Sequence, residues 1–205
     1  LFPTRRSSDL DSLLTVYANL SSAEEDMRES LGQVATGAAL GTCSNSGWQE
    51  GQGCLEFQVI DPQDRSFINP RVLMPHFGEE LELSLHNITA VSKKGTEYTL
   101  GLQRNVSAGV YSFYKQRQDK AVPYRTTVYV NGLAVQTIPY DRLIQIDKRL
   151  CTSGPKNYDV TALYPDSKRE LLGDIMLPKG RNTVTFAVTD ILGNEKTLTY
   201  NIEAR

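Results

Sequence analysis

The stretch Leu177-Pro-Lys-Gly180-Arg-Asn182-Thr-Val184-Thr-Phe186-Ala-Val188-Thr-Asp190-Ile-Leu-Gly193-Asn194, continuing Glu195-Lys-Thr-Leu198-Thr-Tyr200-Asn-Ile202, reads as two strands and a turn. Val184, Phe186 and Val188 share one face, and threonines fill most of the other. Leu198, Tyr200 and Ile202 alternate in the same way on the return. Period-two alternation on both sides of an Asp-x-x-Gly-Asn turn predicts an antiparallel hairpin. In that turn Asp190 is expected to accept backbone N–H groups.

Working outward, Thr126 to Val130, Asn131-Gly132 and Leu133 to Thr137 form a second hairpin pattern. Asn-Gly supplies the two φ > 0 positions of a type I′ turn. Leu55, Phe57 and Val59 alternate until Asp61-Pro62; Leu81, Leu83 and Leu85 alternate with Glu80, Glu82 and Ser84; Tyr98, Leu100 and Leu102 face one way. Val110 to Tyr114, Leu143 to Ile146, Tyr158 to Leu163 and Leu171 to Leu177 are further strand candidates. Short strands at this spacing, separated by turn signals, predict a mainly β sandwich rather than an α/β fold.

Val128-Tyr-Val-Asn-Gly-Leu-Ala-Val135, followed by the Gly180-Arg-Asn182 strand and its Asp190…Gly193-Asn194 turn, resembles bacterial immunoglobulin-like modules over residues ~120–205. The resemblance implies an immunoglobulin-like antiparallel sandwich. It transfers no binding residues, because its motifs are turn and core positions. The interval from Asp147 to Lys179 is longer than a compact module of that kind has at this place.

Upstream, Ser22-Ala-Glu-Glu25 reads as a capping box, and Met27, Leu31 and Val34 follow at helical spacing. These predict a helix over 22–36, weakened by Gly32 and Gly37. The expected organisation is then a helical lead-in over 11–42, a β-rich region over 43–118 and the immunoglobulin-like sandwich over 119–205. The middle region is either a separate sandwich or the first strands of one domain. Residues 1–10 stand apart. Read back as TTC CCT ACA CGA CGC TCT TCC GAT CTN, Phe2 to Leu10 resembles a translated sequencing adapter, which places them outside any fold reasoning. The natural start of the protein is then expected to lie upstream.

Setting Arg5, Arg6 and Asp9 aside leaves 20 basic against 23 acidic side chains. No basic stripe exists to neutralise phosphates, so nucleic acid is not expected as a partner. No apolar run approaches the ~18 residues of a membrane helix, so membrane insertion is not expected. Cys43 and Cys54 bracket a Gly/Ser/Asn-rich loop with no hydrophobic means of holding itself together. A disulfide there would stabilise by about 3 kcal/mol and imply an oxidising compartment. Cys151 is then left as a buried thiol or as the partner of a segment outside this sequence.

No enzyme constellation emerges. His76 and His86, the two histidines, sit in a turn context and at a strand end, away from any nucleophile motif. No phosphate-cradling glycine loop is present. Asp159, Asp166, Asp174 and Asp190 lie in or near loops but lack calcium-loop spacing, so no cofactor or metal is expected. Trp48, Tyr114 and Tyr124 are the candidate ligand-binding aromatics, while alternation turns Tyr111 and Phe113 into the core.

The expected role is therefore a non-catalytic, extracytoplasmic module of a larger bacterial surface or secreted protein, serving adhesion, assembly or spacing through a protein or glycan partner. An accessory, carbohydrate-binding domain of a secreted enzyme and a virion or tail structural module are the alternatives.

Overall fold

A computed structural model describes residues 13–23, 34, 35, 37–44, 53–76 and 78–205, and they are mainly β. The chain divides into two compact units, Leu1–Met74 and Pro75–Arg205.

In the first unit, β1 (Leu14–Ala18) pairs antiparallel with β4 (Glu56–Asp61), which pairs with β5 (Ser66–Ile68). Tyr17 opposes Phe57 with ring centroids 5.0 Å apart, a cross-strand aromatic contact. Asp61 ends β4 as expected: its Oδ1 accepts the Gln63 and Asp64 N–H groups. A separate ladder joins β2 (Leu20–Ala23) to β3 (Gly41–Cys43).

The helix expected over 22–36 falls mostly outside the described residues: Ser22 and Ala23 pair with Thr42 and Gly41 in that ladder, and residues 24–33 are not described. One expectation needs correction. The Cys43–Cys54 disulfide is absent; both residues are exposed thiols, and Cys151 is a buried one. The neck of their loop is held by backbone instead. Ser44 N–H donates to Asn19 O at 2.8 Å, and Cys54 N–H donates to Ser44 O at 3.2 Å.

The second unit consists of two sheets over one core. One sheet runs β7 (Glu97–Thr99), β6 (Thr89–Ser92), β9 (Gly109–Gln116), β14 (Arg169–Leu177). The other runs β11 (Leu133–Pro139), β10 (Arg125–Val130), β15 (Gly180–Thr189), β16 (Glu195–Ala204), β8 (Asn105–Val106). Every pairing is antiparallel except β8 with β16. Alternation turns Tyr111 and Phe113 of β9, Ile175 and Leu177 of β14, Val128 of β10 and Val184, Phe186 and Val188 of β15 into the shared core. The Phe113 and Phe186 rings meet at 5.3 Å. Each such side chain contributes about 1.5–3 kcal/mol through burial. Residues 89–116 thus supply first strands of the same unit as 119–205.

Both hairpin readings are met in atomic detail. Asn131 and Gly132 have φ of 51° and 82°, as a type I′ turn requires. Asp190 Oδ1 accepts the N–H groups of Leu192 at 2.9 Å and Asn194 at 2.8 Å. The Gly-x-Asn motif also gains a reason. Asn182 is buried, and its Nδ2 donates to Pro178 O at 2.7 Å and Gly180 O at 3.0 Å, which fixes the crossing from β14 to β15.

Two strand candidates differ. Leu83 and Leu85 are buried and Leu81 is exposed, so the alternation is real, yet the segment carries no ladder. The Gln118 side-chain amide takes the place of a strand neighbour: its Oε1 accepts Ser84 N–H at 2.7 Å and its Nε2 donates to Glu82 O at 3.0 Å. Residues 158–163 are not a strand. They contain the short helix α1 (Val160–Leu163), because Asp159 caps it by accepting Ala162 N–H at 2.9 Å.

Candidate functional site

The interval that the immunoglobulin-like resemblance left oversized builds the site. Between β11 and β14 the chain forms a hairpin of β12 (Arg142–Ile146) and β13 (Arg149–Thr152), turned at Asp147 and Lys148 with φ of 46° and 66°. The loop that follows is closed on itself. Thr152 N–H donates to Tyr158 O at 2.9 Å, and Tyr158 N–H donates to Thr152 Oγ1 at 3.1 Å. It also lies tight on β11: a Cβ added at Gly154 would stand 2.8 Å from Pro139 Cδ and 2.9 Å from Thr137 O. Only glycine fits that approach.

Beneath this cover sits a second apolar cluster of Ile138, Tyr158, Leu163 and Leu171, with Tyr114, Tyr140 and Tyr164 packed against it. Above it opens a cavity of about 620 Å³, lined wholly by residues 140–164. Tyr140, Tyr158 and Tyr164 provide ring surface, Leu143, Leu150 and Leu163 aliphatic wall, and Arg149 and Asp159 the charge. A concave, mostly apolar space of 300–1,000 Å³ with a few placed polar groups is the usual form of a binding site.

The charges are unequal in freedom. Asp159 Oδ1 accepts Ala162 N–H and the Thr161 hydroxyl at 2.7 Å, and Oδ2 accepts Arg149 Nη1–H at 2.7 Å. The Thr161 hydroxyl, the Ala162 N–H and Arg149 together hold its carboxyl down to about 2. Arg149 is 70% exposed and spends a single N–H on that contact. The tyrosines move the other way. Burial, with Glu170 nearby, pushes Tyr164 up to about 12 and Tyr140 well above 10. Burial raises Tyr158 as well. They remain protonated at neutral pH and offer rings and hydroxyls rather than phenolate bases.

Lys115 and Glu170 oppose each other on β9 and β14 at 2.8 Å, both almost fully buried. The alternation that places Tyr111 and Phe113 inside places Lys115 there too. Glu170 sits above its ordinary value because burial outweighs the pull of Lys115. Arg117 lies 4.6 Å over the Tyr164 ring, and Arg169 lies 5.2 Å over Tyr114.

Of the aromatics singled out in the sequence, Tyr114 packs against the cluster under the cavity without lining it. Tyr124 contributes through its backbone, since its carbonyl accepts Tyr140 N–H at 2.9 Å. Trp48 lies outside the described residues. Of the loop aspartates, Asp166 and Asp190 each accept local backbone N–H groups, and Asp174 pairs with Lys156. Among the described residues no three His, Cys, Asp or Glu side chains group as metal ligands. His86 is exposed, and its carbonyl accepts Gln116 N–H. The cavity residues Tyr140, Arg149, Tyr158 and Tyr164 were not singled out as a site in the sequence, and Asp159 was read only as a loop aspartate. The signal for them was the long interval from Asp147 to Lys179, with Tyr158 and Tyr164 inside it.

A protein-family model matches residues 82–205. No curated protein and no solved structure matches the chain. The matched segment, well over half of the chain, takes in both sheets of the second unit and the cavity-bearing insertion, and the chain belongs to the family that this model defines.

Proposed function

We propose that the second unit is an immunoglobulin-like sandwich serving as a non-catalytic binding module of a larger extracytoplasmic protein, with the cavity of residues 140–164 as its binding site. The strand partition supports the fold reading. β9 and β14 lie side by side in one sheet and β10, β15 and β16 in the other, which is the B–E and C–F–G partition of an immunoglobulin sandwich. The long interval then falls between the C′ and E positions as an inserted hairpin and helical turn.

The cavity carries the functional reading, because it is built wholly from the insertion while the sandwich supplies only its footing. Its walls favour an apolar side chain from a partner protein over a sugar. Ring and aliphatic surface makes up most of the lining, and the Asp159 carboxylate is already engaged three times. Titrating the ¹⁵N-labelled protein with a capped, uncharged phenylalanine-containing peptide should shift amides of residues 140–164 selectively. Leu150→Asp, at a half-exposed wall position, should remove the shifts; shifts spread over the sheets, or unchanged in the variant, would exclude the cavity. Antibodies against the second unit should label intact source cells, and labelling only after lysis overturns the extracytoplasmic placement.

A further inference from the structure

Resting on the cavity being a binding site, we infer that its occupant is an acidic peptide, in which an aromatic or aliphatic residue fills the cavity and an adjacent carboxylate meets Arg149. Three observations converge on this. The interior of the cavity is ring and aliphatic surface from Tyr140, Leu143, Leu150, Tyr158, Leu163 and Tyr164. The carboxylate at the site, Asp159, is saturated by the Ala162 N–H, the Thr161 hydroxyl and Arg149, so it recruits no cation. Arg149 by contrast is largely exposed and has donated one of its five N–H groups to Asp159. A guanidinium is built to serve two carboxylates from its planar fork. Asp159 holds the Arg149 side chain over the cavity with one edge of that fork and leaves the other edge for the ligand.

Arg149 and Leu150 both line the cavity, so a peptide that carries a carboxylate beside its apolar residue offers a group to each.

The test uses two capped hexapeptides, one with a central Phe-Asp pair and one with Phe-Asn, which differ in charge and hardly in shape. Binding to the full chain is followed by amide shifts. The Phe-Asp peptide should bind about fivefold tighter, the scale of one exposed charge pair, and the preference should shrink at high salt. Arg149→Gln should abolish the preference. Asp159→Asn keeps a capping oxygen but releases Arg149, so it should widen the preference. Equal binding of the two peptides overturns the inference and leaves the cavity reading standing, as does a preference that survives in Arg149→Gln. Binding of neither peptide overturns both.

Discussion

Lys115 and Glu170 show how a single residue can run against its element and still be fixed by it. Strand alternation makes Lys115 an inward position, and register on β14 supplies Glu170 opposite it. The strand read over Val110 to Tyr114 stops one residue short of Lys115, and its partner was not legible, because the pairing of β9 with β14 joins segments more than fifty residues apart. Removing one member strands the other charge in the core. Lys115→Met should therefore cost about 3–5 kcal/mol, whereas Lys115→Met with Glu170→Leu should recover most of that loss. Urea unfolding of the three proteins measures both, and a double variant as unstable as the single one rejects the account. The pH dependence has a definite sign. Burial raises the Glu170 carboxyl above 4.5 against the pull of Lys115. Its contribution is thus full below the unfolded value and is lost as pH rises through the folded one. Wild type should lose stability relative to Glu170→Gln as pH rises above the ordinary carboxylate range.

At the scale of elements, the two motifs that carried the family resemblance touch. Asn131 in the β10–β11 turn accepts Thr183 N–H at 2.9 Å, and its Nδ2 donates to Asn182 Oδ1 at 3.3 Å. Each asparagine was readable as a local turn or strand signal, since turn chemistry is a property of a few adjacent residues. Their contact spans 51 positions and follows only once β10 lies beside β15. Elements that owe their form to such distant partners read worst. The 81–85 segment has strand alternation but uses the Gln118 amide as its neighbour, and 158–163 becomes helical on the strength of the Asp159 cap. A double-mutant cycle tests the asparagine link. Asn131→Gly keeps the positive φ and deletes the side chain, so strain does not contaminate the result. Asn182→Ala should cost about 2–3 kcal/mol, and the coupling between the two positions should be about 1 kcal/mol. Strict additivity in thermal or urea unfolding rejects the link.

At the scale of the second unit, the mainly β architecture was legible because alternation and turns repeat along the chain, whereas the cavity was not. Its walls come from an insertion whose shape depends on Gly154 meeting β11 and on Tyr158 bonding back to Thr152, and neither leaves a periodic trace. What binds the two sheets into one body is the shared core, with Phe113 from one sheet against Phe186 from the other. That contact predicts a single cooperative unit rather than two sheets that open separately. Phe186→Leu should destabilise by about 1–2 kcal/mol, leaving a gap the neighbours only partly close. Native-state hydrogen exchange reads where the loss is felt. The amides of Tyr111 and Phe113 on β9 should accelerate by the same factor as those of Val128 on β10 and Val184 on β15, roughly tenfold, because each exchanges through one global opening. Acceleration confined to β10, β15 and β16 would mean that the sheets unfold independently, and the insertion, footed on β11 of one sheet and Leu171 of the other, would then lose the rigid support its cavity needs.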